Sequence, residues 1–206
     1  MTTLPPFTGA VLAGGASRRM GRDKALIELD GRPLAAIAAA ALVEAGADGP
    51  VLGIGGDGSA LRRLGLEPVA DDHPGEGPLG AVMTALARAP HEVVVILACD
   101  VPGAEAGAVG LVLAALAAAA HADVAVPVLG AGRRQPLHAA WRRSALPSVE
   151  AAFDRGERAV HRMLEALVVV TVAGISPRAV ADVDTPGDLE RHGWSNAADI
   201  RQTGGP

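Results

Sequence analysis

Hydrophobic positions along this chain fall into short unbroken runs separated by longer alanine-rich stretches. The short runs are Gly9 to Leu12, Val51 to Gly53, Pro68 to Ala70 and Val93 to Ala98, with Gly or Asp close behind them. The longer stretches are Pro33 to Ala45, stopped by Gly46, Pro78 to Ala89, stopped by Pro90, and Ala104 to Ala120. Runs of strand length bounded by turn residues predict strands, and stretches with start and stop signals predict helices. Val93-Val94-Val95-Ile96-Leu97-Ala98 has no polar alternation, as a strand covered by helices on both faces requires, so it is expected at the centre of the sheet.

The second half continues the alternation. Strands are expected over Asp123 to Val128, near Leu137 to Trp141 and over Val168 to Val172, with a basic turn at Arg133-Arg134 and helices around Ser144 to Leu167. One sheet can hold all of these strands, and strand-helix alternation implies an α/β fold with a mostly parallel sheet. No Ser/Pro/Gly-rich linker divides the halves, so residues 1–194 read as one domain and 195–206 as a flexible C-terminal tail.

Composition narrows the function classes. The 206 residues are half hydrophobic and only 2% aromatic, with a formal charge of −5. Nucleic-acid binding calls for a concentrated basic face or a platform of aromatic rings, and neither is present in this sequence. Cys99 is the single cysteine, which excludes an internal disulfide and a multi-thiolate metal centre. The N-terminal residues lack the basic start and apolar stretch of a secretory signal, and the longest apolar runs fall short of the roughly 20 residues needed to span a bilayer. A cytoplasmic location without a membrane partner is expected.

The densest chemistry follows the first strand, in Leu12-Ala13-Gly14-Gly15-Ala16-Ser17-Arg18-Arg19-Met20-Gly21-Arg22-Asp23-Lys24. Ligands of open α/β sheets bind at the carboxyl ends of strands. Gly14 and Gly15 let backbone amides approach phosphate oxygens, while Arg18, Arg19, Arg22 and Lys24 add positive charge, so a triphosphate is the natural counterpart. Gly15 and Gly21 enclose five residues and Lys24 precedes Ala25, which departs from the G-x-x-x-x-G-K-[ST] spacing of a P-loop. Gly53-Ile54-Gly55-Gly56-Asp57-Gly58 satisfies G-x-G-x-x-G, but the helix behind it is short, so it reads as a flexible strand-helix loop and not as a dinucleotide site.

Carboxylates stand where a cation would meet a triphosphate. Asp100 follows the central strand directly and either binds magnesium or caps the next helix. Asp182 and Asp184 share one face of an extended segment, where they either complete a cation site or cap a following helix. Asp71 opens the loop Asp71 to Gly80, whose glycines and prolines allow close approach to a base or ribose. His73 is expected to be an exposed loop residue, and Cys99 a core residue.

At these positions the chain resembles the MobA family of molybdenum cofactor guanylyltransferases, within the larger group of Rossmann-like nucleotidyltransferases. The resemblance rests on Leu12-Ala13-Gly14-Gly15, Arg19-Met20-Gly21, Asp23-Lys24, Gly77-Pro78-Leu79-Gly80, Cys99-Asp100-Val101-Pro102, Arg134-Gln135-Pro136-Leu137 and Asp184-Thr185-Pro186-Gly187-Asp188-Leu189. It implies a three-layer Rossmann-like nucleotidyltransferase fold. It also implies that Leu12, Ala13, Gly14, Gly15 and Lys24 contact GTP, that Asp71 contacts the nucleoside, and that Asp100 binds nucleotide and magnesium. Lys24, Arg19 and Asp100 would serve catalysis, and Asp184 would give a second metal contact, although the family often carries Asn at positions 182 and 184. Arg133-Arg134 would face molybdopterin.

The activity expected from this resemblance is transfer of GMP from GTP to molybdopterin or its molybdenum-bound form, releasing pyrophosphate and giving the guanine dinucleotide cofactor. Molybdoenzyme apoproteins or other cofactor-biosynthesis proteins would be the protein partners. Cytidylyl transfer to the same pterin, nucleotidyl transfer to a sugar phosphate, and a nucleotide-binding module without chemistry are the competing readings.

Overall fold

The computed structural model describes residues 4–14, 23–183 and 187–188. In chain order its elements are β1 (Phe7–Leu12), β2 (Glu28–Leu29), β3 (Arg32–Pro33), α1 (Leu34–Glu44), β4 (Leu52–Ile54), α2 (Gly58–Arg63), β5 (Glu67–Val69), α3 (Pro78–Arg88) and β6 (Val93–Ala98). They continue with α4 (Ala106–Ala118), β7 (Val124–Leu129), β8 (Arg133–Arg134), β9 (His138–Arg142), α5 (Leu146–Asp154), α6 (Val160–Met163) and β10 (Val169–Val172). Short 3-10 turns occupy Lys24–Leu26, Arg143–Ala145, Leu164–Ala166 and Pro177–Val180.

One sheet holds the main strands in the order β10-β7-β9-β6-β1-β4-β5, with β8 paired to the end of β7. β6, β1, β4 and β5 run parallel, as do β7 and β10. β9 runs antiparallel to both β6 and β7. The mostly parallel sheet expected from the sequence is therefore present, with one reversed strand inserted near its middle. The basic turn expected at Arg133-Arg134 is instead the short strand β8, whose residues pair with Leu129 and Val128.

Burial follows the period-two geometry of a strand. Along β6, Val93, Val95 and Leu97 join the core beneath α1 and α4, while Val94 and Ile96 join the core beneath α3 and α5. Each face of the strand meets its own helical layer, so hydrophobic residues are needed at every position. The result is three layers, with α1 and α4 on one side of the sheet and α3, α5 and α6 on the other.

Glycine decides how closely two of these layers approach. A Cβ at Gly9 would lie 3.1 Å from Leu42 Cβ and Cδ1, so the bare backbone of β1 lets α1 settle directly against the strand. The α1 helix ends where Gly46 adopts φ 91°, a conformation glycine takes without a Cβ clash. No helix among the described residues is long and apolar enough to cross a membrane.

Candidate active site

Three strand-to-helix loops converge at the carboxyl edge of the sheet. Beyond β1, the amides of Ala13 and Gly14 both donate to the Ile54 carbonyl at 2.9 and 3.0 Å, which fastens the start of the loop after β1 to the end of β4. Gly55 and Gly56 lie flush against it. A Cβ at Gly55 would stand 3.0 Å from Gly14 Cα and 3.7 Å from Asp71 Cβ, and one at Gly56 would stand 3.0 Å from the Ala13 carbonyl oxygen. Both glycines have positive φ, 74° and 69°, so the conformation and the contact each select against a side chain.

The loop Gly53 to Gly58, expected to be flexible, is instead packed at Gly55 and Gly56 against the chain leaving β1. The G-x-G-x-x-G pattern carried the signal, although its role here is close backbone contact between loops. Asp57 then caps α2 by accepting from the amides of Ser59 and Ala60 at 2.8 and 3.1 Å.

The Asp71 carboxylate is held from two sides. It accepts a hydrogen bond from the His73 amide at 2.9 Å and another from the Thr84 hydroxyl at 3.3 Å. Thr84 is fully buried on α3, where its single hydroxyl proton is shared between the Asp71 carboxylate and the Gly80 carbonyl at 3.1 Å, and its oxygen accepts from the Asp72 amide at 3.1 Å. Sequence reasoning missed Thr84, though a lone hydroxyl within the apolar run Leu79 to Ala87 was a visible cue. His73 is half-buried, its ring 4.5 Å from that of Phe153, which corrects its assignment as an exposed residue.

On the other side of β1 the catalytic candidates meet. The Cys99 amide donates to the Leu12 carbonyl at 3.1 Å, so the chain leaves β6 beside the chain leaving β1. The 3-10 turn at Lys24–Leu26 starts behind Asp23, whose carboxylate accepts from the Ala25 amide at 3.0 Å. It directs the Lys24 ammonium to the Asp100 carboxylate at 3.2 Å, with both side chains about four-fifths buried, at 19% and 23% exposure. Asp100 lies upstream of the α4 start, where Glu105 is the N-cap residue, so the capping alternative is set aside.

Asp182 approaches the same place through its neighbour, since the Val183 amide donates to the Asp100 carbonyl at 2.9 Å. Gly15, Arg19 and Asp184 lie outside the described residues, as do Arg18 and Arg22. Among the described residues no group of three or more His, Cys, Asp or Glu side chains is placed to hold a metal by itself. Cys99 is buried as expected, and burial, with Asp100 and Asp23 nearby, pushes its thiol far up, away from any nucleophilic role.

The far half of the edge is formed by β7, β8 and β9. Arg133 and Arg134 are exposed on β8, beyond the carboxyl end of β7, and His138 begins β9 beside Leu97. His138 is buried with its Nε2 lacking a hydrogen-bond partner among the described residues. Burial pushes its pKa down from 6.5 to about 4, so the ring is neutral at pH 7. It faces a small cavity lined by Leu97, Val109, Pro127, Ala179 and Glu105.

Comparison with known proteins bears on this arrangement. Residues 9–171 match the family model of the MobA-like NTP transferase domain. A probable molybdenum cofactor guanylyltransferase of Opitutus terrae is 37% identical over 194 residues, covering 90% of this chain and 94% of that protein. A molybdenum cofactor guanylyltransferase of Rhodobacter capsulatus is likewise 37% identical, with 90% of this chain and 94% of that protein covered. Among solved structures, molybdopterin-guanine dinucleotide biosynthesis protein A from Archaeoglobus fulgidus superposes with a TM-score of 0.74 at 23% identity, covering 94% of this chain and 99% of the other, a likeness of fold. The converging loops, the three-layer sheet and a family match spanning most of the chain agree, and the protein belongs to the MobA-like NTP transferase family of nucleotidyltransferases.

Proposed function

We propose that this protein transfers GMP from GTP to molybdopterin, or to its molybdenum-bound form, releasing pyrophosphate and producing the guanine dinucleotide cofactor. The observation that carries the chemistry is the Lys24–Asp100 pair at the carboxyl edge, beside the loop of Ala13 and Gly14 and across from Asp71. The choice of GTP and of the pterin acceptor is supported by the names of the relatives, which are guanylyltransferases over nearly their full length. Molybdoenzyme apoproteins or other cofactor-biosynthesis proteins would receive the product.

In this reading the Gly14 backbone lies along the phosphates, and the wall of Gly55 and Gly56 keeps it in place. Asp71, fixed by Thr84 and the His73 amide, holds the nucleoside. An oxygen of the acceptor's terminal phosphate forms a bond to the α-phosphorus while the bond from that phosphorus to the β-phosphate oxygen breaks. A phosphate monoester with a second pKa of about 6 is already anionic at pH 7, so no base need remove a proton. Lys24 supplies positive charge beside the departing pyrophosphate, and the neighbouring loops hold both reactants in line.

Magnesium fits the donor set as a proposal. Asp100 offers one carboxylate at the edge, and magnesium takes one or two carboxylates with phosphate oxygens and water completing its shell. When bound, the ion neutralises phosphate charge. Asp100 would hold it, with Asp184 as second contact.

The test is pyrophosphate release from purified protein given molybdenum-loaded molybdopterin, magnesium and GTP, CTP or ATP in separate reactions. Release with GTP alone supports guanylyl transfer. Release with CTP alone moves the assignment to cytidylyl transfer, and no release with any of them overturns the proposal.

A further inference from the structure

The loop that carries Asp71 is gripped by a segment remote in sequence and outside the nucleotide crevice. Arg158, between α5 and α6, extends its Nη2 to the Glu76 carboxylate at 2.8 Å, while its Nη1 donates to the carbonyls of Phe153 and Glu157 at 2.7 and 2.9 Å. Its guanidinium carbon stands 3.8 Å from the centre of the Phe153 ring, and the His73 ring lies 4.5 Å from the same ring. The Arg158 backbone joins in as well. Its carbonyl accepts from the Leu79 amide at 3.3 Å, and a Cβ at Gly77 would meet the same oxygen at 3.2 Å.

Loop 71–79 is thus held at His73, Glu76, Gly77 and Leu79 by one short segment. The segment is itself stiffened: the Glu157 carboxylate accepts from the amides of Arg158 and Ala159, both at 2.7 Å, and from the Arg162 guanidinium. These bonds, that from Arg162 foremost, hold the Glu157 carboxyl down at about 2, so it stays ionised across the working pH range. A planar guanidinium can form two carbonyl bonds, one carboxylate bond and one ring stack together, which a lysine cannot do.

We propose that Arg158 is a positioning residue for the nucleotide, acting through Glu76, Phe153 and His73 to fix the loop that presents Asp71. The inference rests on the reading of Asp71 as a nucleoside contact. It assigns to the α5–α6 connection a role in nucleotide affinity and none in the transfer step.

The experiment compares Arg158→Ala, Arg158→Lys, Glu76→Gln and the Arg158→Ala/Glu76→Gln double variant with the unmodified protein. Measured for each are kcat, the KM for GTP and for the acceptor, direct GTP binding by calorimetry, and the thermal midpoint. The expected result is a KM for GTP raised about tenfold by Arg158→Ala and about threefold by Glu76→Gln, with kcat within about twofold, the scale expected from losing a few hydrogen bonds. Arg158→Lys should recover part of the loss, and the double variant should be no worse than Arg158→Ala alone, since both act on one contact.

An unchanged KM for GTP overturns the proposal. So does a rise confined to the acceptor's KM, which would make Arg158 a residue of the acceptor side. A KM that simply follows the thermal midpoint across all variants also overturns it. If the unmodified protein takes another nucleotide, the guanylyl reading fails separately, and the same comparison with that nucleotide decides the role of Arg158.

Discussion

Lys24 and Asp100, 76 residues apart in sequence, form an ion pair at 3.2 Å where the chain leaves β1 and β6. In the proposed transfer, Lys24 is the cation beside phosphate and Asp100 the ligand for magnesium. Lys24→Ala is expected to lower kcat about 100-fold, the scale seen when one preorganised charge-stabilising donor is removed. The thermal midpoint should also fall, because the pair is about four-fifths buried and the substitution leaves the Asp100 carboxylate without that ammonium. Near-normal turnover in this variant would remove Lys24 from the mechanism. Asp100→Asn is expected to raise the magnesium concentration needed for half-maximal rate, and an unchanged magnesium titration would show that Asp100 does not hold the ion.

Gly55→Ala tests the wall behind the phosphate loop. With φ at 74° and Gly14 Cα only 3.0 Å from the new Cβ, the loop must move or the backbone must strain. The expected outcome is a loss of about 1–3 kcal/mol in stability, measured by denaturant unfolding, with a raised KM for GTP. Gly65→Ala is the control. It also has positive φ, 82°, but nothing lies within 4 Å of its Cβ position, so it should lose stability without affecting nucleotide affinity.

His138 makes stability depend on pH in a defined window. Its pKa is about 4 in the folded chain against 6.5 when exposed, so the unfolded chain binds a proton first as pH falls. Stability present above pH 6.5 is therefore lost as pH drops toward 4, by about 2 kcal/mol between pH 7 and pH 5. Among the described residues, Glu105 is the other titratable side chain lining its cavity. His138→Leu should flatten that part of the unfolding profile, and an unaltered slope would show that the imidazole titrates normally.

Gly9→Ala addresses packing between β1 and α1. The added methyl would meet Leu42 at 3.1 Å, and overpacking of this kind costs about 1–3 kcal/mol. Combining it with Leu42→Val should return part of that loss. Simple addition of the two single effects in thermal unfolding would argue that the layers adjust elsewhere.

The strands and helices that bury a complete face were legible beforehand. Val93 to Ala98 matches its observed strand residue for residue, and α3 starts at Pro78 as read, behind Gly77 at φ 89°. The reversed direction of β9 was not legible, because an apolar run reads the same toward either edge of a sheet. Lys24, Asp71 and Asp100 were legible as candidates from residue type and position after strands, and the structure brings Lys24 to Asp100, whereas the contacts that support them were not legible. Gly55 meets Gly14, and Arg158 meets Glu76, only after folding brings distant loops together.

The reversal of β9 divides the working edge into two workshops of different construction. Toward β5 the edge is furnished by residues leaving strands, namely those after Leu12, Ile54 and Val69. Toward β10 it is furnished also by residues entering one, because His138 starts β9 at the side where Leu97 ends β6. The hairpin from Leu129 to Arg134 hangs from that second half alone, with Gly130 and Gly132 both at positive φ. Lengthening or recharging it is therefore expected to leave the Gly14–Gly55 contact untouched, so the two halves of the edge can change independently.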